Sequence, residues 1–251
     1  MTFSNIAMRI HRLYHPEPLP LNQPITLTDE AHAHLTRVLR VKLGALVELF
    51  NGDSFAYHGE VNQLDKKTTQ VILRRKDATQ KESPLRIHLG QVISRGDKMD
   101  FTLQKAVELG VSRITPLTSE RCGVKLDTQR LQKKQEHWQK VVISACEQSG
   151  RNLVPSVNHL STLSSWFEPI DASVTKVVMD WRDAQRLSQV MDAQTQDLCI
   201  LVGPEGGLTA QEIDTAIQQG FQAVTLGPRI LRTETAALAL ISAAQLLAGD
   251  F

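Results

Sequence analysis

The sequence has few cysteines and no long hydrophobic run, and both features restrict what the protein can be. Its 251 residues include three cysteines, none of which belongs to a C-x-x-C pair. Their positions, Cys122, Cys146 and Cys199, argue against a zinc site and a disulfide framework, so we expect reduced and mostly packed thiols. No window approaches roughly eighteen uninterrupted apolar residues, and residues 1–9 lack a signal-peptide core. We therefore expect a cytoplasmic protein.

Several common active-site motifs are also missing. The chain has no Walker A sequence, no G-x-G-x-x-G after a strand and no G-x-S-x-G. The usual signatures of triphosphate-dependent enzymes, nicotinamide-dependent enzymes and α/β-hydrolases are therefore absent. His32 and His34 are two candidate metal ligands, but no third ligand lies near them in the sequence. Two such histidines are usually polar surface residues, so we predict no metal site.

The charge is distributed unevenly along a composition that is otherwise typical of a soluble globular protein. Residues 1–84 carry 11 Lys and Arg against 9 Asp and Glu, residues 85–153 carry 12 against 7, and residues 154–251 carry 5 against 11. A local basic excess can follow RNA phosphates even though the formal net charge is only +1. Ordinary solvated surfaces give the same pattern, so charge alone leaves both interpretations open.

Two patterns divide the chain into domains. Residues 1–76 combine prolines, a short helix that opens at Thr28 and period-two strands around the turn at Asn51 and Gly52, which predicts a small, largely β domain, a barrel. The polar stretch 74–84 has no apolar periodicity and ends in proline, and we place a linker at 77–84. From Leu85 strands alternate with helices, which predicts an α/β domain over 85–251 with a parallel sheet covered by helices.

The elements of the second domain follow from apolar periodicity and capping residues, among them the capping box Thr209-Ala-Gln-Glu212. We predict strands over 87–93, 111–117, 174–179, 198–202 and 223–226, and helices over 97–109, from 127 onward, over 183–192, 210–219 and 235–248. The last helix is apolar on nearly every face, which indicates burial on both sides. For a helix at the end of a chain this predicts packing against a partner subunit, and we expect a homodimer.

Two apolar runs in the last third end in loops of glycine, proline and a few charges. The first opens into Gly203-Pro-Glu-Gly-Gly207, and the second into Gly227-Pro-Arg-Ile-Leu-Arg-Thr-Glu-Thr-Ala236. Loops at the carboxyl ends of neighbouring strands form the ligand crevice of an open α/β sheet. Glycines let the backbone approach a ligand and offer it amide and carbonyl groups. We predict that this pair is the active site for a compact, mostly neutral ligand with an adenine or ribose.

The two loops resemble those of the ribosomal small subunit methyltransferase E family. The resemblance extends over almost the whole chain through Met8-Arg-Ile-His-Arg12, His34-Leu-Thr-Arg-Val-Leu-Arg40, Lys105-Ala-Val-Glu-Leu-Gly-Val111, Ser119-Glu-Arg121 and Ala145-Cys-Glu-Gln-Ser-Gly-Arg151. It implies a PUA-like amino-terminal barrel joined to a SPOUT methyltransferase domain with a trefoil knot in the last third. The cofactor would be S-adenosylmethionine, bound among the knot loops at a dimer interface.

The activity implied by the resemblance is methylation of N3 of one uridine in 16S ribosomal RNA of the small subunit. Ribose 2′-O-methyltransferases of the same superfamily have a last motif that resembles Ser-Leu-Asn-Val-Ser, whereas this chain reads Leu226-Gly-Pro-Arg-Ile-Leu-Arg232. This departure favours the base-methylating branch. Two alternatives stay open: a non-catalytic RNA-binding or ribosome-assembly factor, and an enzyme of the same fold that acts on transfer RNA.

Carried over position by position, the resemblance implies three sets of site residues. The expected cofactor pocket consists of Leu201, Val202, Gly203, Glu205, Gly206, Gly207, Leu226, Gly227, Ile230, Leu231, Arg232 and Thr235. Because uracil N3 carries a proton at neutral pH, transfer needs proton removal or a stabilised anion. The expected catalytic residues are Arg232, for charge on the uracil oxygens, and Glu205 or Glu234, to accept the proton or balance the sulfonium. The expected RNA contacts are Arg9, Arg12, Arg37, Arg40, Lys42, Arg121, Lys125, Arg130 and Arg151.

Some of these residues have a simpler explanation. Ile230 and Leu231 are apolar, and apolar residues are usually buried as core packing. Glu234 lies near the predicted start of the last helix, where a carboxylate is favourable whatever the activity.

Overall fold

The computed structural model describes residues 10–78, 81–124, 128–168, 170–180, 182 and 184–251. The chain folds into two compact units. The first comprises Met1–Lys81 and Cys146–Val154, and the second comprises Glu82–Ala145 and Pro155–Phe251. The chain thus returns to the first unit for one short segment, which carries the sequence Cys146-Glu-Gln-Ser-Gly-Arg151.

The first unit is built on a five-stranded sheet. Its strands are β1 (His11–Tyr14), β2 (Pro24–Thr26), β3 (Leu46–Phe50), β4 (Ala56–Leu64) and β5 (Thr69–Asp77). They lie in the order β1-β3-β4-β5-β2, with β1 parallel to β3 and the other pairs antiparallel. Helix α1 (Asp29–Ala33) and a π-helical turn (His34–Val38) lie between β2 and β3.

Local side-chain hydrogen bonds set the limits of these elements. The Thr28 hydroxyl accepts a hydrogen bond of 3.2 Å from the amide of Ala31 and so caps α1. Between β3 and β4, the Asp53 carboxylate accepts hydrogen bonds from the Phe55 amide at 3.1 Å and from the Tyr57 hydroxyl at 2.5 Å. The predicted hairpin over this turn is confirmed.

Three details of the first unit differ from expectation. Strand β1 was not predicted, since it is short and pairs with the distant strand β3. The polar stretch that was expected to begin the linker starts inside β5, because Arg75 and Asp77 pair with β4. His32 is not a surface residue: it is buried, and its Nδ1 lies 2.8 Å from the hydroxyl of Thr69.

The second unit is an α/β structure around an eight-stranded sheet. Its elements in chain order are β6 (Arg86–Val92), α2 (Lys98–Glu108), β7 (Arg113–Thr118), α3 (Thr128–Ser149, whose last turn belongs to the first unit), β8 (Ser156–Val157), β9 (Ser161–Thr162), α4 (Leu163–Phe167), β10 (Thr175–Met179), β11 (Gln185–Arg186), α5 (Leu187–Val190), β12 (Asp197–Val202), α6 (Ala210–Gln218), β13 (Gln222–Thr225) and α7 (Thr233–Ala248).

The strand order of this sheet decides where the loops meet. The order is β11-β13-β10-β12-β6-β7-β8, with β9 beside β7, and every pair is parallel. All carboxyl ends therefore lie at one edge. The strands β12 and β13 are not neighbours, because β10 lies between them. The end of β10 consequently takes part in any site that the two glycine-rich loops form.

The core of the second unit explains why its strands are continuous apolar runs. Five of the six residues of β12 are buried, as expected for a parallel strand covered on both faces. An aromatic cluster of Trp166, Phe167 and Phe221 packs beside it. The three cysteines are free thiols, and burial raises the pKa of Cys199 to about 12.

Most predicted elements of the second unit agree with the structure to within two residues. The helix expected over 183–192 is wrong, because within its described residues only α5 (Leu187–Val190) is helical. The short elements β8, β9, α4 and β11 were not predicted, since they have too few residues for any periodicity. The last helix starts at Thr233 and not at 235, because Arg232 is its N-cap. Among the described helices, none has the length and apolar composition needed to cross a membrane.

Candidate active site

A cavity of about 970 Å³ opens at the carboxyl edge of the second unit's sheet. Loops that follow β7, β10, β12 and β13 contribute to its walls, together with the first turns of α2, α6 and α7. The lining residues are Lys98, Arg121, Met179, Asp180, Arg182, Val202, Gly203, Pro204, Glu205, Gly206, Gly207, Leu208, Ala210, Ile213, Thr225, Leu226, Gly227, Pro228, Arg229, Ile230, Leu231, Arg232, Thr233 and Ala236.

The loop after β12 forms one wall and leads directly into α6. Gly207 has a φ of +68°, a conformation that favours glycine, and its amide donates a hydrogen bond of 2.9 Å to the carbonyl of Pro204. The Thr209 hydroxyl accepts from the Glu212 amide at 3.2 Å, while the Glu212 carboxylate accepts from the Thr209 amide at 2.8 Å. This confirms the predicted capping box and fixes the end of the loop.

Glu205 lies in this loop and is held by the loop that follows β6. Its carboxylate accepts a hydrogen bond of 3.0 Å from the Arg95 amide and lies 3.6 Å from Nζ of Lys98. Burial raises the pKa of Glu205, but the hydrogen bonds from the amides of Arg95 and of Glu205 itself, with the charge of Lys98, outweigh burial and lower it. A carboxylate with a lowered pKa is a weak proton acceptor, so the geometry favours a role in balancing charge.

The loop after β13 forms the opposite wall and carries unpaired positive charge. Gly227 has a φ of +93°, and its carbonyl accepts a hydrogen bond of 3.0 Å from the hydroxyl of Thr225. Arg229 and Arg232 are both exposed, and no carboxylate of the described residues lies within ion-pair distance of either. Two free guanidinium groups at a cavity mouth suit a ligand or substrate with negative charge.

The loop after β10 supplies a third wall that the sequence did not point to. Asp180 and Arg182 line the cavity, and Nη2 of Arg182 lies 3.0 Å from the carboxylate of Asp180. The amide of Asp180 also donates to the carbonyl of Val224 in β13 at 3.2 Å. Because β10 lies between β12 and β13, the position of this loop follows from the sheet order. No local pattern in the sequence predicts it.

Thr233 joins the two glycine-rich loops. Its hydroxyl donates a hydrogen bond of 2.6 Å to the carbonyl of Gly203, directly after β12, and accepts one of 3.0 Å from Nε2 of Gln91 in β6. Neither Thr233 nor Gln91 was among the predicted site residues. The partner loops are distant in sequence, so only the fold brings these groups together.

Most residues expected in the cofactor pocket line the cavity. Those that do are Val202, Gly203, Glu205, Gly206, Gly207, Leu226, Gly227, Ile230, Leu231 and Arg232. Leu231 is half-buried, but the side chain of Ile230 is 94% exposed, so core packing does not explain it. Three predicted site residues are not in the lining: Leu201 and Thr235 from the expected pocket, and the expected catalytic residue Glu234.

These three residues have other surroundings. Leu201 is fully buried in the hydrophobic cluster that includes Trp166. Thr235 is exposed on α7, because that helix starts earlier than expected and turns this residue away from the cavity. Glu234 is the second residue of α7, and its Oε2 is buried with no hydrogen-bond partner among the described residues. A carboxylate in the first turn is favourable for the helix dipole.

Two of the predicted RNA contacts are structural groups inside the first unit. The side chain of Arg12 is 12% exposed, and its guanidinium donates to the carbonyl of Arg151 and to Oδ1 of Asn152, both at 2.6 Å. It also pairs with Glu48 and lies 4.2 Å from the ring centroid of Phe50. Arg151 itself is 4% exposed. Burial and these contacts hold the segment 146–154 against the sheet, so the structure does not support either arginine as a phosphate contact.

The other predicted RNA contacts fall into two groups. Arg37, Arg40, Lys42, Arg121 and Arg130 are exposed, and Nη1 of Arg121 donates to the carbonyl of Gly206 at 3.2 Å at the cavity wall. Arg9 and Lys125 lie outside the described residues.

Comparisons with known proteins show which family this chain resembles. Residues 81–245 match the model of the RNA methyltransferase domain, and residues 27–74 match that of the RNA methyltransferase PUA domain. Ribosomal RNA small subunit methyltransferase E of Buchnera aphidicola subsp. Schizaphis graminum is 39% identical over 96% of this chain and 98% of its own length. The corresponding protein of Bacillus subtilis is 30% identical, covering 90% of this chain and 92% of its own length.

Two solved structures resemble the chain over nearly its whole length. Ribosomal RNA small subunit methyltransferase E from Neisseria gonorrhoeae, bound to S-adenosylmethionine, has a TM-score of 0.90 and 45% identity over 97% of this chain and 100% of its own. The methyltransferase Lpg2936 from Legionella pneumophila, with the bound cofactor S-adenosylmethionine, has a TM-score of 0.93 and 37% identity over 97% and 100%. The chain belongs to the ribosomal RNA small subunit methyltransferase E family.

Proposed function

We propose that this protein methylates N3 of one uridine in 16S ribosomal RNA, with S-adenosylmethionine as the methyl donor. Its family acts on ribosomal RNA, and close structural neighbours hold that cofactor. The observation that carries the proposal is the cavity of about 970 Å³ at the sheet edge, walled by both glycine-rich loops. Its size is within the range of small-molecule sites.

The residues of the cavity fit the chemistry of S-adenosylmethionine. The cofactor combines a flat adenine, a ribose, a positive sulfonium and an amino acid end. Leu226 and Leu231 offer apolar surface, the glycines of both loops offer backbone groups, and Glu205 and Asp180 offer negative charge. We assign cofactor binding to these groups and to the lining residues Val202, Gly203, Gly206, Gly207 and Gly227. When bound, the cofactor supplies an electrophilic methyl group.

Methyl transfer to uracil N3 requires loss of the proton on that nitrogen, which we assign to water, so the chain's own residues stabilise the resulting anion. Arg232 lines the cavity without an ion-pair partner among the described residues, so it is free to stabilise negative charge on the uracil oxygens. Glu205 is held ionised by Arg95 and Lys98 and serves to balance positive charge. Glu234 lies outside the lining, so we assign it to the start of α7 and not to proton transfer.

The same proposal covers the architecture that the family resemblance implies. We infer that the five-stranded sheet closes as a PUA-like barrel and that the last third of the second unit forms a trefoil knot. The first inference is supported by the match of residues 27–74 to a PUA domain. The second is supported by β12 lying between β10 and β6, with the later strand β13 outside β10.

RNA binding is best assigned to the segment 37–43 of the first unit. Arg37, Arg40 and Lys42 are exposed there beside two exposed apolar side chains, Val38 and Leu43. Arg40 has a φ of +51°, which is uncommon and costly for an arginine. A basic segment with apolar side chains suits phosphates together with the faces of sugars and bases.

A homodimer is the third part of the proposal. Helix α7 exposes Thr235 and Leu246, and Ala239 and Ser242 between them are only half-buried. The spacing puts these residues on one face. Leu246 is 71% exposed, which is a high exposure for a leucine in a mostly apolar helix. We infer that a second copy of the chain covers this face.

Replacing Arg232 by Ala is expected to lower methyl transfer at least about 100-fold, because the charge on the uracil oxygens loses its stabilising partner. Arg232→Lys, which keeps the charge but not the planar guanidinium, is expected to keep part of the activity. The assay measures transfer of a labelled methyl group to small subunits from cells that lack the gene, while calorimetry confirms that the cofactor still binds. Near-normal turnover of Arg232→Ala would remove this residue from the mechanism.

Binding of 16S ribosomal RNA is expected to weaken steeply with salt, with the slope of log affinity against log salt reduced by about 0.7–0.9 for each phosphate contact removed. Arg37→Ala and Lys42→Ala are each expected to lower the slope by that amount. Lys66→Ala, at another exposed lysine of the same unit, is the matched control and is expected to leave it unchanged. An affinity that does not depend on salt, or an equal effect of the control, contradicts the assignment.

Analytical ultracentrifugation at micromolar concentration is expected to find the chain as a dimer. Leu246→Asp places a charge in the interface and is expected to weaken dimerisation at least tenfold. Ile217→Asp, at an exposed isoleucine of α6, is the matched control and is expected to remain dimeric. A monomeric wild-type chain would refute the dimer.

A further inference from the structure

A fully buried glutamine of the central strand β6 reaches the edge of the cavity through one hydroxyl group. Gln91 is 0% exposed, and its Nε2 donates to the hydroxyl of Thr233 at 3.0 Å and to the carbonyl of Val92 at 2.9 Å. The Thr233 hydroxyl in turn donates to the carbonyl of Gly203 at 2.6 Å. One chain of hydrogen bonds thus connects β6, the start of the loop after β12 and the first residue of α7.

The donor and acceptor capacity of each group determines which atom donates in these hydrogen bonds. A carbonyl only accepts, so the single hydroxyl proton of Thr233 is used on Gly203. The hydroxyl must then accept from Gln91, and only the amide nitrogen of that side chain can donate. The second proton of the Gln91 amide group is donated to the carbonyl of Val92. A glutamate or a methionine at position 91 could not replace these two donations.

The side-chain oxygen of Gln91 gives a second indication that the donations from its Nε2 are important. Oε1 of Gln91 is buried and has no hydrogen-bond partner among the described residues. A buried acceptor without a partner costs free energy, which an apolar residue of similar size would avoid. The two donations from Nε2 are what a glutamine supplies at this position and an apolar residue would not.

We propose that Gln91 is a positioning residue of the cofactor cavity, which acts by holding Thr233 and, through it, Gly203. Gly203 begins the first glycine-rich loop, and Thr233 lies in the second, at the point where that segment enters α7. These hydrogen bonds among Gln91, Thr233 and Gly203, called the clamp below, therefore set the distance between the two cavity walls before any ligand binds. The effect on cofactor affinity rests on the proposed function, whereas the effect on the loops of the ligand-free chain does not.

A second buried glutamine provides a matched control. Gln245 is also 0% exposed and also holds α7, but near its other end. Its Nε2 donates to the carbonyl of Leu109 at 2.8 Å, and its Oε1 accepts from the hydroxyl of Ser83 at 2.6 Å. Loss of either glutamine removes two side-chain hydrogen bonds, but of these two residues only Gln91 is bonded to a residue that lines the cavity.

The first experiment follows hydrogen exchange of backbone amides in the ligand-free chain. Gln91→Met and Thr233→Val are expected to increase exchange at least about fivefold over residues 203–208 and 231–235, because the clamp no longer closes these segments. Gln245→Met is expected to leave both segments unchanged and to act at the end of α7. Thr233→Val carries the test if Gln91→Met does not fold.

The second experiment measures S-adenosylmethionine binding by calorimetry and methyl transfer by steady-state kinetics. Gln91→Met and Thr233→Val are expected to raise Kd and KM for the cofactor about tenfold, with kcat within about twofold of wild type. Thr233→Ser, which restores the hydroxyl, is expected to recover most of the affinity. Gln245→Met is expected to lower Tm with no change in Kd.

The outcomes separate this inference from the proposed function. Equal exchange in all variants, or a Kd for Gln245→Met that rises as much as for Gln91→Met, contradicts the positioning role. A wild-type chain that does not bind S-adenosylmethionine contradicts the proposed function. In that case the exchange experiment still decides whether the clamp holds the two loops.

Discussion

The parallel pairing of β12 with both β10 and β6 is the constraint on which the candidate site depends. It puts the carboxyl end of β12 at the centre of one sheet edge, where the loops after β6, β10 and β13 reach it. The adjacency of β6 and β12 brings Arg95 to Glu205, and brings Gln91 to the hydroxyl that Thr233 donates to Gly203. The cavity is thus a product of strand order, and its walls are short loops on a rigid, buried support.

The sequence predicted the parts of the site that have a local signature. Apolar runs followed by glycine and proline located both loops, and the capping box at Thr209 located α6. The third wall at Asp180 and the clamp from Gln91 to Thr233 were missed, because each depends on which strands become neighbours, and neighbours in this sheet are distant in sequence. Strand β1 was missed for the same reason, since it pairs with the distant strand β3.

Charge was the least reliable signal, since a count of arginines does not say which are buried. Arg12 and Arg151 were expected on the RNA face but stabilise the first unit from within, whereas Arg37 and Lys42 are exposed. Glu205 was expected as a base or a counter-charge, and its bonds to Arg95 and Lys98 favour the second role. Electrostatic roles follow from contacts that form only in the folded chain.

The central claim is that the cavity between the two glycine-rich loops methylates N3 of a uridine in 16S ribosomal RNA. Mass-spectrometric mapping of modified nucleosides, in RNA from cells that lack the gene and from the same cells complemented with it, tests this claim most directly. We expect one 3-methyluridine to disappear from 16S ribosomal RNA of the cells that lack the gene and to return on complementation. An unchanged 16S modification pattern, or a methyl group lost from a ribose or from transfer RNA instead, would contradict it.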